Sequence, residues 1–211
     1  IETVAATCHA NLPGRDSSEL VRVYRRRLEQ FRELLEKERI PLRLVEGMEI
    51  LDGPELVRKL KRGELLTINR TRYVLAEVRL DAPAWQIYRM LIYLLDAGYI
   101  PILAHPERYR CVQRVPVHVK EWATIGAVLQ LDKGSIFGRF GEGAADVADY
   151  MLDRQLASLA ATDAHRADVR TMSLAPLRDL LARRYGSACP ELLLRENPKR
   201  ILEGNDVIRF R

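Results

Sequence analysis

Histidines and carboxylates in this chain fall where short apolar runs end. TVAAT leads to Cys8 and His9, LRLVEGM to Glu49, YVLA to Glu77, PILA to His105, and SLAAT to Asp163 and His165. Short apolar runs bounded by polar turns read as buried parallel strands. In barrel-like α/β enzymes the reacting groups stand at the C-terminal ends of such strands. A mixed set of imidazoles and carboxylates suits Mn²⁺, Fe or Zn²⁺, with carboxylates able to bridge ions. Such clusters activate water and clamp a phosphate for in-line displacement. Taken singly, each residue has a bland explanation; jointly, five elements delivering ligands to one face point to a polynuclear metal site.

Individual residues carry different weight. Asp163 and His165 are two apart just beyond a strand, and in an extended segment they point the same way. Glu77, between Ala76 and Val78, is the hardest to read as a surface acid. A buried carboxylate is costly unless it is paired or holds a metal, and an arginine salt bridge is the competing explanation. After His105 comes Pro106-Glu107-Arg108, in which Arg108 could hold an anion. Asp132 also ends an apolar strand; the sequence leaves open whether it faces the site or braces the adjacent loop.

The elements that must position these groups alternate regularly. Strands are expected at about residues 3–7, 42–45, 73–78, 100–104, 127–131 and 156–161. Asp16 or Ser17 can N-cap a long amphipathic helix carrying Leu20, Val23, Tyr24, Leu28, Phe31, Leu34 and Leu35, which Pro41 stops. Gly53-Pro54 opens a short helix with proline at the favoured first position. A turn surrounds Asn69-Arg70, and Pro83 starts a helix closed by Gly98. Helices are also expected around 117–125, through Tyr150 and Leu152, and from about 171 to 184. Gly138–Gly143 is a glycine-rich loop. The tail 191–204 reads as helical, broken by Asn197-Pro198. Without repeats or a linker, residues 1–211 form a single α/β domain with a parallel sheet or barrel.

Bulk properties narrow the class. The 211 residues carry a formal net charge of +5, and 47% are hydrophobic, an ordinary globular composition. The charge suits an acidic partner, a phosphorylated peptide or nucleic acid, as well as a merely solvated basic surface. Three cysteines without CxxC pairing argue for a reducing cytosol, so a cytoplasmic protein is expected. The most apolar stretch, 90–105, is broken by Asp96 and Gly98, so no membrane insertion is expected. The chain opens on Ile1, almost directly in a strand, and is read as lacking its beginning.

The segments ATCHANLPG, EGMEI, YVLAEV, IPILAHPERY, QLDKGSIFGRFG and AATDAHR resemble the polymerase and histidinol phosphatase (PHP) superfamily. More narrowly they resemble its bacterial tyrosine-phosphatase branch, which serves capsule and exopolysaccharide synthesis. The likeness runs from the first residues to ENPKRILEG. It implies a distorted (β/α)7 TIM-like barrel of the PHP fold. It also implies a divalent metal cluster of up to three ions, usually manganese, with Fe, Mg or Zn as alternatives. A metal-bound hydroxide would hydrolyse phosphotyrosine on a partner protein, a bacterial tyrosine kinase. Carried onto this chain, the resemblance makes His9, Glu49, Glu77, His105, Asp163 and His165 metal ligands. Arg108 and Arg170 become the phosphate-binding, catalytic arginines.

The chain departs from that pattern twice. The motif written ATPHH in the family stands here as Ala6-Thr7-Cys8-His9-Ala10, and the opening HxH motif with its following acid is absent. The second departure implies a missing first strand–helix unit of roughly thirty residues, an incomplete cluster and an open barrel. No CxxxxxR phosphate loop follows Cys8, so it reads as packing or an incidental thiol. Two other functions fit the same residues: a small-molecule phosphatase, such as one for histidinol phosphate, and a catalytically inactive module that binds a phosphopeptide. A small closed pocket would favour the metabolite. Nucleic-acid processing is disfavoured, because no aromatic-basic interleaving is present. The sequence does not fix the oligomeric state.

Overall fold

Two apolar clusters sort the strands by their two-residue period. The structure, a computed structural model, describes residues 1–166, 168 and 170–209. Its strands are β1 (Thr3–Ala10), β2 (Arg43–Leu51), β3 (Tyr73–Glu77), β4 (Ile100–Ala104), β5 (Val128–Asp132) and β6 (Leu159–Ala161). All six pair in sequence order and in parallel, which makes a sheet with the chemistry of every strand end on one edge. Among the described residues β1 and β6 are not paired with each other, as expected of an open barrel.

On β3, Val74 and Ala76 join the large cluster under the helices, whereas Tyr73 and Leu75 join a smaller one with Ile68, Ile102, Ala104, Val128, Leu159 and Ile201. Glu77 shares the parity of Tyr73 and Leu75, and Asp132 that of Val128. Both therefore turn toward the smaller cluster's face. Because both faces are covered, most strands read as continuous apolar runs rather than alternating ones. Gly47 in β2 faces the same side: a Cβ there would lie 2.7 Å from Ile68 Cδ1, so the missing side chain leaves room for Ile68 beside the Asn69-Arg70 turn.

The helices that set strand spacing are α1 (Ser17–Lys37), α2 (Leu56–Arg62), α3 (Ala84–Asp96), α4 (Arg110–Arg114), α5 (His118–Thr124), α6 (Lys133–Ile136), α7 (Glu142–Asp153) and α8 (Ala175–Tyr185). Asp16 caps α1, accepting from the Ser18 and Glu19 amides. Tyr24 of α1 reaches between β1 and β2, where its hydroxyl donates to Ala6 O at 2.8 Å and accepts from Gly47 N at 3.1 Å. Phe31 and Leu34, placed on the apolar stripe by spacing, stay about half exposed.

Several boundaries differ from expectation. β2 runs on to Leu51, carrying Glu46 and Glu49 inside the strand, because both flanks are buried and their charges find partners. Pro54 does not open α2; Glu55, in the left-handed region, precedes its first residue. β6 is short and α8 begins at Ala175. Asn197-Pro198 does not break the tail: the chain stays helical through α9 (Ala188–Glu191), a π turn at Leu192–Glu196, and α10 (Asn197–Glu203). Wider π hydrogen bonding accommodates the amide that proline lacks.

Asn197, fully buried, is the clamp that fixes the strand leading to Asp163. Its amide donates to Ser158 O at 2.7 Å and Ile208 O at 2.9 Å, and its Oδ1 accepts from Ile208 N at 2.7 Å. Asn197→Ala strands these backbone groups and is expected to cost about 2–4 kcal/mol of stability by urea denaturation. A change below about 0.5 kcal/mol would refute the clamp.

Candidate metal and phosphate site

Sheet register builds the first half of the site. His9 on β1 is the direct neighbour of Glu49 on β2, and Glu77 at the end of β3 lies beside Leu51, two residues further along β2. His105 follows the last residue of β4 with φ 37°, a left-handed conformation that turns its ring back over the strand ends. His9 Nδ1 lies 3.0 Å from Glu77 Oε1 and 3.3 Å from Glu49 Oε2. His105 Nε2 lies 3.2 Å from Glu49 Oε1 and 3.5 Å from Glu77 Oε2.

The carboxylates are largely removed from water, and His105 is 5% exposed. Burial by itself raises the Glu77 carboxyl, but hydrogen bonds from His105 and His9 bring it down to about 2. Burial likewise disfavours charge on His105, yet Glu49 and Glu77 push it up to about 9. For His9 the hydrogen bond to Glu77 outweighs burial and raises the ring.

His9, Glu49 and Glu77 offer ligand atoms within 4.8 Å of one another and could hold a metal ion. Ligands of one ion at bond lengths of about 2.1 Å lie about 3.0–3.4 Å apart. The distances from His9 to Glu77 and Glu49 and from His105 to Glu49 fall in that range, so the donor set fits a divalent cation.

The second half is an ion cluster. Arg108 Nη1 lies 3.5 Å from Asp163 Oδ2 and 3.8 Å from Asp132 Oδ2; Arg170 Nη2 contacts the same Asp163 oxygen and lies 3.8 Å from Asp132 Oδ2. Asp163 has φ 44°, so the segment is not extended, but both side chains still line one cavity. The Asp163 carboxylate meets the arginines through Oδ2, and its Oδ1 lies 3.7 Å from His165 Nδ1; the His165 ring stands at the rim, 6.0 Å from that of His9. Lys133 secures the following segment by donating to Thr171 O at 2.5 Å and Ser173 O at 3.0 Å.

Three residues missed in the sequence hold this arrangement. Glu107 is fully buried, its Oε1 accepting from Asp132 N at 3.1 Å and Ser135 Oγ at 2.6 Å, and burial pushes its carboxyl up. Tyr109, also fully buried, donates from its hydroxyl to Ala104 O at 2.9 Å and accepts from Val78 N at 3.3 Å, bracing the ends of β3 and β4. Phe140 lies under both guanidiniums, 4.2 Å from Arg108 Cζ and 5.4 Å from Arg170 Cζ. Its ring packs so closely on Gly134 that a Cβ there would sit 2.5 Å from Phe140 Cε2. An aromatic residue between glycines in a basic loop was the available signal for Phe140; for the other two, burial was not readable.

The question left open for Asp132 resolves both ways. Oδ1 caps the Gly134 amide at 2.7 Å, and Oδ2 faces the two arginines. Cys8 is exposed, so it does not pack. A cavity of about 260 Å³ joins the two halves and is lined by His9, Glu49, Glu77, His105, Arg108, Asp163, His165 and Arg170.

Known proteins are similar to this chain in sequence and fold. The tyrosine-protein phosphatase YwqE of Bacillus subtilis is 31% identical over 209 residues, covering 99% of this chain and 81% of YwqE. The tyrosine-protein phosphatase CpsB of Streptococcus pneumoniae is 29% identical over 178 residues, 82% of this chain and 73% of CpsB. A chain from the crystal structures of B. subtilis YwqE and S. pneumoniae CpsB, described there as unique metal-dependent tyrosine phosphatases, superposes with a TM-score of 0.89 at 29% identity. That match covers 100% of this chain and 84% of the other. The model of the family described as "Capsular polysaccharide synthesis, CpsB/CapC" matches residues 1–203, and the chain belongs to that family.

Proposed function

We propose that this chain is a metal-dependent protein-tyrosine phosphatase acting on phosphotyrosine of a bacterial tyrosine kinase that controls capsular or exopolysaccharide synthesis in the cytoplasm. The observation that carries this reading is the charge balance of the cavity. Glu49, Glu77, Asp132 and Asp163 set four carboxylates against the guanidiniums of Arg108 and Arg170. These carboxylates outnumber the guanidiniums, and divalent cations among the histidines and glutamates would turn the site toward a phosphate dianion.

His9, Glu49, Glu77 and His105 would hold the first ion, with Asp163 and His165 as further ligands at the rim. Manganese heads the candidates, with Fe, Mg or Zn as alternatives and up to three ions in all. Such ions, when bound, activate water and neutralise charge on the phosphate.

The protein's own groups supply orientation. Arg108 and Arg170 present forked donors to the phosphate oxygens and favour the charge that builds during displacement. Asp132 and Asp163 aim the guanidiniums, and Phe140 supports them from below. No nucleophilic side chain is required. The histidine rim is open, with the side chains of His9 48% and His165 42% exposed, which favours a phosphorylated protein side chain over an enclosed metabolite. No described helix is long and apolar enough to cross a membrane.

Phosphate release from a phosphotyrosyl peptide by full-length protein with Mn²⁺ is expected to stop with chelator and in His105→Ala, while Cys8→Ser keeps most of the activity. Chelator-resistant release, or loss of turnover in Cys8→Ser with metal intact, contradicts the reading. Arg170→Ala is expected to lower kcat/KM about 10²-fold. Phe140→Ala, which leaves both charges in place, is expected to lower it about tenfold. Equal activity of Phe140→Ala and the unmodified protein would show that the ring does not position the arginines.

A further inference from the structure

The cavity has a second kind of wall. Besides the ligands and arginines, the cavity is lined by Leu51, Val78, Arg79 and Leu80. Their backbones are fixed. Asp52 N, next to Leu51, donates to Glu77 O at 2.8 Å, and Arg110 N donates to Leu80 O at 2.9 Å. The Tyr109 hydroxyl holds the Val78 amide. The Arg79 guanidinium is turned aside onto Asp81, with contacts of 3.1 and 3.2 Å, and leaves the apolar wall open. Leu80 remains 42% exposed although its main chain is pinned. A leucine held in water at the rim of a polar cavity contributes little to folding and is placed to bury area on a ligand.

Resting on the phosphatase reading above, we propose that Leu80, with Leu51, receives the aromatic ring of an aryl phosphate and so selects phosphotyrosine over alkyl phosphates such as phosphoserine. The phosphate lies on the arginine side, and the ring extends from it along the wall toward the rim. A phenyl ring offers a flat apolar face for that contact. An alkyl ester presents too little apolar area there, so the wall adds affinity for one substrate class and leaves the other unchanged.

Titration calorimetry with phenylphosphonate and methylphosphonate on the Mn²⁺-loaded full-length protein separates the outcomes without relying on turnover. The unmodified protein is expected to bind the phenyl compound more tightly. Leu80→Ala, at an exposed position that tolerates truncation, is expected to weaken phenylphosphonate about five- to tenfold and leave methylphosphonate unchanged. Leu80→Met, which keeps the apolar surface, restores the difference. KM for a phosphotyrosyl peptide rises by the same factor in Leu80→Ala, with kcat little altered. If both phosphonates weaken together, or neither does, the wall does not select the ring and the inference fails while the phosphatase reading stands. If the unmodified protein binds neither, the phosphate site itself is wrong and both fall.

Discussion

Two glutamates largely withdrawn from water near the ends of adjacent strands are the constraint around which this protein is arranged. Glu49 and Glu77 lie between β1 and β4 with little access to water, and their charge must be balanced within the fold. His9 and His105 do so through contacts of 3.0–3.5 Å, raising the rings and depressing Glu77. An apolar substitution would relieve this cost, since paired buried charges rarely add net stability. Their retention at the edge of a hydrophobic sheet is best understood through the cation they can hold.

The neighbouring ion cluster follows the same logic with the opposite sign. Arg108 and Arg170 are oriented by Asp132 and Asp163 and backed by the Phe140 face, so neither guanidinium swings freely. Fully buried Glu107 fixes Asp132 through its backbone amide and thereby links the β4 end to the β5 end. Cation site, anion site and apolar wall thus rest on one braced rim, with Tyr109 joining β3 to β4. Such bracing favours a site organised before substrate arrives.

Much of this was legible in the sequence. Apolar runs gave the strands, and the residue closing each run gave His9, Glu49, Glu77 and His105; parity inside a covered sheet puts the first three on one face, and the left-handed backbone at His105 brings its ring to them. Asp163 and His165 were found as residues that line one cavity, although a left-handed backbone angle at Asp163 replaces the extended segment that their spacing suggests. The support from Glu107, Tyr109 and Phe140 depends on burial across elements distant in sequence, which periodicity does not encode. The unbroken tail was misread for a local reason: proline normally ends a helix, and here a π turn absorbs it.

Metal content of the purified full-length protein tests the central claim most directly. After Mn²⁺ loading and dialysis, atomic spectroscopy should find bound manganese in the unmodified protein. It should be lost in Glu77→Gln, a change that keeps side-chain shape and removes only the charge, with the fold verified by circular dichroism. Equal metal in both proteins, or none in the unmodified one, would contradict the account of Glu49 and Glu77 as buried charges held for a cation.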